Sequence, residues 1–400
     1  MNNHKYFKNF LIAWNILFFT NILWLLGFNR LRFGLIIFCI IWLLINSFKS
    51  FLFVNKTNSF LRSVSLIYLL LIIIFLLSLT MGFLRNYNDF KYFGRAVYDI
   101  GACAFILSGI TFINIPKRLW RKFLNTYFFW IILLVIITIP FLDFNYFLTV
   151  ENRANLLLEM SEDSLFRIAY DIQMTNLALV PLILVLSIYF GNNKHTILAK
   201  VLIGVYLFFG FYYAKKNVTF ELITLFFVLF TFFYSGKKKF KLLASTLTGL
   251  LIFIYVFADS VFVKRFTGRV DTSFSEKRND RLLEADVFFD SFPFIDYVIG
   301  RGFGGVFNGT SGGGVLHIGV VNLIFKFGFI GLIILILFFS KNLIEAAFKR
   351  STLSIKFLNI MYMFFLVFII SSPLWSWYSN MLYFSFMVFG AYIITEKNTN

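Results

Sequence analysis

Residues 64–82 read VSLIYLLLIIIFLLSLTMG, an apolar run without one charged side chain. A run of about 20 such residues, wound as a helix, crosses the roughly 30 Å hydrocarbon core of a bilayer. Lipid offers no partner to a bare N–H or C=O, so a segment of this kind must be helical rather than an open strand. Outward from this run the same pattern recurs, near 10–27, 33–48, 96–115, 123–142, 168–190, 196–214, 218–235, 242–258, 318–339, 355–372 and 379–394. Hydrophobic residues make up 60% of the 400 and charged residues 14%, which excludes an ordinary soluble domain. The expected fold is therefore an all-α polytopic membrane protein of about 12 transmembrane helices, with one large extracytoplasmic loop between spans 9 and 10. It is expected to form a single integral membrane domain over 1–400. The first run has no small-residue cleavage site and is followed by eleven others, so it is expected to be a span and not a signal peptide.

Charge sets the orientation. The net charge of +18 would suggest nucleic acid in a soluble protein, but here it reports topology, and no nucleic-acid partner is expected. With the amino terminus inside and the spans alternating, twenty of the 37 basic residues fall in inside segments, with Glu345 and Glu396 as the acids there. Amino and carboxyl termini are then cytoplasmic and the 259–317 loop lies outside. Arg30, Arg32, Lys215 and Lys216 sit in short outer turns, against the usual bias. They either snorkel to lipid phosphates or share an anionic ligand on the outer face.

That outer loop is the one long polar interval. Ser273 and Glu276 have the spacing of a capping box, and Pro293 bars continuation, which predicts a helix at about 274–291. On it Arg278, Leu282, Ala285 and Phe289 share a stripe, with Arg281 beside Phe288. The stripe suits a helix lying on the membrane surface; an ordinary loop helix with an Arg281–Glu284 pair is the other reading. Eight glycines then fall within the fifteen residues 300–314, around Arg301. Gly300-Arg-Gly302-Phe-Gly304-Gly305 fits a dinucleotide pattern in letters only, since neither strand nor βαβ unit accompanies it. The glycines let the backbone approach a bulky ligand or fold back onto the bundle. His317 follows at the mouth of the tenth span, where it either titrates in a reaction or serves structure. Lys326 is about 13 Å further along, on the opposite helix face.

Elsewhere, Arg167, Asp171, Gln173 and Asn176 place polar groups at the start of the sixth span, where such groups face a bundle interior or a wet cavity. Glu221 stands just inside the eighth span, where Lys215 and Lys216 could neutralise it. Asp99 lies near the outer end of the fourth and is read as interfacial. Cys39 and Cys103 fall in apolar runs and read as packing residues. His4, His195 and His317 are scattered, so no metal site is expected.

Three features together resemble the O-antigen polymerase and O-antigen ligase superfamily. Arg281, Pro293, Gly300, Gly302 and Gly304 are similar to its outer-loop pattern of an arginine, a proline and alternating glycines. His317 followed by Lys326-Phe-Gly328-Phe-Ile-Gly331 resembles its histidine and re-entry into the membrane. Arg167 through Thr175-Asn176-Leu-Ala178 looks like its polar span start, with threonine where that pattern has proline.

The resemblance implies an outer-face glycosyltransferase of the bacterial cytoplasmic membrane. It would be a polymerase joining lipid-linked oligosaccharide repeat units of O-antigen, capsule or exopolysaccharide, with undecaprenyl pyrophosphate as leaving group. A ligase and a lipid-linked oligosaccharide flippase are the alternatives. The implied catalytic residues are His317 and Arg281. Arg167, Asn176, Lys215, Lys216, Arg278 and Arg301 are implied in substrate binding. No cofactor is implied; the partners are the lipid-linked oligosaccharide, the bilayer and a chain-length regulator protein.

Overall fold

The computed structural model describes residues 3–57, 62–87, 92–113, 115–142, 164–189, 193–213, 216–230, 235–257, 260, 264, 280–305, 307 and 319–348, with isolated positions 382, 385, 386 and 389. Among these residues regular structure is helical throughout, and seven helices are long and apolar enough to cross a membrane. The chain is thus all-α with the character of a multi-pass membrane protein. The runs at 196–214, 218–235 and 242–258 also carry helices, which are not among the seven, and those at 355–372 and 379–394 lie outside the described residues save for four positions. Two compact units are present, one from residues 1–126 and 280–400, the other from 127–279.

The first unit begins with α1 (His4–Leu25) and α2 (Asn29–Thr57). Helix α1 stops because Gly27 takes φ 77°, a conformation costly for any residue with a Cβ. The Phe28 and Gly27 N–H groups then close back onto the Leu23 and Trp24 carbonyls, a Schellman motif. The two helices run antiparallel, joined by polar rungs inside an apolar seam. Ser50 donates to Asn3 at 2.7 Å, Asn46 to the Tyr6 carbonyl at 2.8 Å, Trp42 to the Asn9 carbonyl at 3.3 Å and Cys39 to the Ala13 carbonyl at 3.7 Å.

Helices α3 (Arg62–Asn86) and α4 (Tyr92–Ser108) follow, and α5 (Lys117–Thr138) begins in this unit and belongs to the second from Tyr127 onward. Helix α4 tightens into a 3-10 turn over Gly109–Phe112, and the Asn3 amide satisfies the freed carbonyls of Ile110, Thr111 and Ile113 at 3.0–3.2 Å. Pro116 then opens α5. The core here is aromatic: Phe7, Phe10, Trp120 and Phe123 surround Phe112, which meets Phe10 at 4.9 Å and Phe386 at 5.1 Å, and Trp14 packs on Phe10, Phe105 and Phe123. Leu382, Ser385, Phe386 and Phe389 are all buried, a helical stripe from the twelfth apolar run.

Helices α11 (Asp280–Ser291), α12 (Phe294–Ile299) and α13 (Gly319–Phe348) complete this unit. Of the helix expected at about 274–291, residues 280–291 are helical and 274–279 lie outside the described residues; a second short helix follows beyond Pro293, whose φ of −65° suits that entry. Helix α11 buries Phe288 against Tyr297 and Phe325, while Phe289, which the expected stripe counted, is exposed.

In the second unit, α6 (Leu165–Leu177) and α7 (Val180–Tyr189) divide one apolar run just ahead of Pro181, whose ring cannot continue the preceding turn. Helices α8 (Asn193–Tyr212), α9 (Lys216–Val228) and α10 (Lys237–Phe257) follow. Gln173 is a buried strut, donating to Thr138 at 2.8 Å and accepting from Tyr213 at 2.8 Å. Large apolar side chains line the outside of both units, among them Leu76, Leu77 and Tyr255, as lipid contact requires.

Candidate functional site

The polar loop returns into the first unit through the segment Gly300-Arg301-Gly302-Phe303-Gly304. Its glycines alternate and all have positive φ, 79°, 81° and 72°. Each faces a helix closely enough to exclude a side chain. A Cβ on Gly300 would sit 2.6 Å from the Gly328 nitrogen, one on Gly302 would strike Ser78 and Gly82 of α3, and one on Gly304 would meet the Tyr92 ring. The fit is reciprocal, since a Cβ on Gly82 would land on the Phe303 carbonyl and one on Gly328 on the Val298 carbonyl. Gly328 takes φ 68° and kinks α13, which frees helical carbonyls at the break. Of the two uses the sequence allowed for these glycines, the segment shows the second: it is folded back onto the bundle.

Its polar backbone is then accounted for by the helices. Arg301 N–H donates to the Phe325 carbonyl at 2.7 Å and Phe303 N–H to the Ser78 carbonyl at 2.9 Å. Gly304 N–H donates to Asp99 at 2.6 Å. The Gly300 carbonyl accepts from Arg85 Nη1 and the Gly304 carbonyl from Arg95 Nε, each at 2.8 Å. Between the glycines, Phe303 turns the other way and is buried against Phe75 and Phe327.

Two ionic groups sit under this segment. Asp99 bonds Lys326 Nζ at 2.8 Å, with both residues less than a tenth exposed, at 6% and 9%. Asp99 is therefore an enclosed, paired residue, and the face of α13 that carries Lys326 is the one turned towards α4. Asp296, 5% exposed, takes Arg85 on one carboxylate oxygen at 2.7 Å and Arg301 on the other at 2.8 Å. Buried charges persist only when paired, and these pairs link α3, α4, α12 and α13 to the loop. The Arg301 guanidinium also lies 4.7 Å over the Phe292 ring.

Residues around 3, 50 and 110–113 meet one another. The end of α3, the start of α4 and the 300–304 segment also meet.

Of the expected site residues, Arg301 stands in this cluster. Arg167 and Asn176 belong to the other unit. Arg167 faces Asp171 at 3.6 Å and the Tyr170 ring at 5.4 Å, and the Asn176 amide donates to the Ile172 carbonyl of its own helix at 2.7 Å. His317, Arg278 and Lys215 lie outside the described residues, as do the side chains of Arg281 and Lys216. Glu221 is buried and accepts from Tyr206 at 2.6 Å, a partner on α8 that the sequence reading did not name. Arg32, expected in a short turn, lies in the first turn of α2, with its guanidinium 3.8 Å over the Trp24 ring.

Sequence reasoning missed Arg85, Arg95 and Asp296. The available signal was an ionisable residue at the end of an apolar run, opposite others at the same level. No group of three or more His, Cys, Asp or Glu side chains suited to a metal occurs among the described residues. Compared with models of known protein families and with curated proteins, the chain matches none.

Proposed function

We propose that the protein is a glycosyltransferase polymerising lipid-linked oligosaccharide repeat units at the outer face of a bacterial cytoplasmic membrane, both termini being cytoplasmic. The acceptor hydroxyl oxygen attacks the anomeric carbon of the donor chain and its proton passes to His317. The bond to undecaprenyl pyrophosphate breaks, and the electron pair leaves on the diphosphate oxygen. Arg281 and Arg301 hold that diphosphate. Arginine suits the task because its planar fork matches phosphate oxygens and stabilises departing charge without a metal.

The observation that carries this reading is the Arg85–Asp296–Arg301 group. Two guanidiniums share one carboxylate, so one positive charge remains on the side where the loop lies. The order of motifs in the sequence supplies the substrate class. A second reading, a flippase for the same lipid, gains from the break at Gly328 beside the buried Asp99–Lys326 pair, since transporters place charge at broken helices. The glycan profile of a deletion strain separates them. Surface glycan of single repeats indicates a polymerase. No surface glycan, with single lipid-linked repeats retained inside, indicates a flippase, and lipid-linked polymer without transfer indicates a ligase.

A further inference from the structure

We propose that Asp296 and Arg85 are positioning residues that hold Arg301 ready for a diphosphate, an inference that rests on the reading in which Arg301 meets the donor. Arg301 is fixed at every level below its guanidinium. Its flanking glycines are wedged against α3 and α13, its N–H is spent on the Phe325 carbonyl, and its planar head stacks on Phe292. Nη1 alone bonds Asp296; Nε and Nη2 make no bond among the described residues, and the side chain is 27% exposed. Two adjacent donors of a guanidinium fork, partly open to solvent, form the geometry that takes two oxygens of a phosphate.

Arg85 has the complementary role. Its Nη2 binds the other Asp296 oxygen at 2.7 Å and its Nη1 the Gly300 carbonyl at 2.8 Å, so both terminal nitrogens are spent inside the protein. It thereby fixes the carboxylate that aims Arg301 and the residue preceding Arg301 in the chain. The ligand class is a diphosphate, either the headgroup of a prenyl diphosphate ester or the free ion.

Positioning and mere charge balance predict opposite signs. Asp296→Asn removes a negative charge, which by electrostatics alone tightens an anion; if Asp296 aims Arg301, the same change weakens it. The experiment is titration of the purified full chain in nanodiscs with inorganic pyrophosphate and, separately, with geranyl diphosphate, each variant first checked for a cooperative thermal transition.

Arg301→Ala is expected to weaken binding about tenfold or more, the scale of a lost charge-assisted contact. Asp296→Asn and Arg85→Gln are expected to weaken it several-fold, and Arg85→Lys to recover part of that loss. Should Asp296→Asn not fold, Asp296→Glu keeps the charge and shifts the carboxylate by one methylene; weaker binding supports positioning and unchanged binding overturns it. Tighter or equal binding by a folded Asp296→Asn also overturns it, while leaving Arg301 as the anion ligand. Wild-type affinity in Arg301→Ala removes Arg301 from the donor site and the positioning role with it. Preference for geranyl diphosphate supports the lipid headgroup as occupant and preference for pyrophosphate the free ion; binding of neither overturns the site.

Discussion

Asp99 and Lys326, 227 residues apart in the chain, meet at 2.8 Å in the interior of the first unit, and the same Asp99 oxygen receives the Gly304 N–H. One carboxylate therefore joins α4 to α13 and both to the returning loop. Its removal leaves a buried ammonium and a buried N–H unsatisfied together.

The energetics of that pair follow from its burial. Asp99→Asn and Lys326→Met singly are expected to cost about 3–5 kcal/mol, the penalty of stranding a buried charge. The double variant is expected to be more stable than either single one, because it strands none. Chemical unfolding in detergent checks this; singles as stable as wild type would show that the pair is not enclosed.

Glycine substitutions separate packing from flexibility. Gly302→Ala introduces a Cβ onto Ser78 and Gly82 at φ 81° and is expected to cost at least about 2 kcal/mol. Gly34→Ala, on α2 with nothing within 4 Å of the added carbon, is expected to be neutral or stabilising by up to about 1 kcal/mol. Equal transition midpoints for the two variants would remove the close approach of loop and helix.

Topology is open to thiol chemistry with little background, since the natural Cys39 and Cys103 are buried. In intact spheroplasts an impermeant maleimide is expected to spare Phe240→Cys and to label Lys264→Cys and Asn308→Cys. Labelling of position 240 from outside reverses the orientation.

His317 and Arg281 carry the chemistry of the proposed reaction. His317→Ala is expected to abolish or greatly shorten polymer at normal membrane protein level. Arg281→Lys is expected to be nearly as impaired as Arg281→Ala, tens-fold or more at roughly 1.5–3 kcal/mol per contact, because an ammonium lacks the fork. If Arg281 only pairs with Glu284, Glu284→Gln matches Arg281→Ala in effect and the lysine variant stays active.

What was legible in the sequence follows from what the bilayer forces. An apolar run must be a helix, so the runs at 10–27, 33–48, 64–82, 96–115 and 123–142 all lie on helices, though boundaries moved. Helix α3 continues past the apolar run to Asn86 because Arg85 finds Asp296 and the Gly300 carbonyl, partners no local pattern announces. Pro293 announced a break, but the helix beyond it was invisible, being six residues long and held by packing of Tyr297 on Phe288. Within the candidate site Arg301 was named in advance only through the resemblance. The pairing of Asp99 with Lys326 was not legible because the partner is remote in sequence, and depth along a helix says nothing about which neighbour a residue faces.

The most direct test of the central claim is reconstitution of the purified protein in proteoliposomes holding lipid-linked repeat units. The expected result is a ladder of longer lipid-linked chains with stoichiometric release of undecaprenyl pyrophosphate, lost in His317→Ala. Movement of the donor between leaflets with no chain longer than one repeat contradicts the polymerase and assigns the protein to transport.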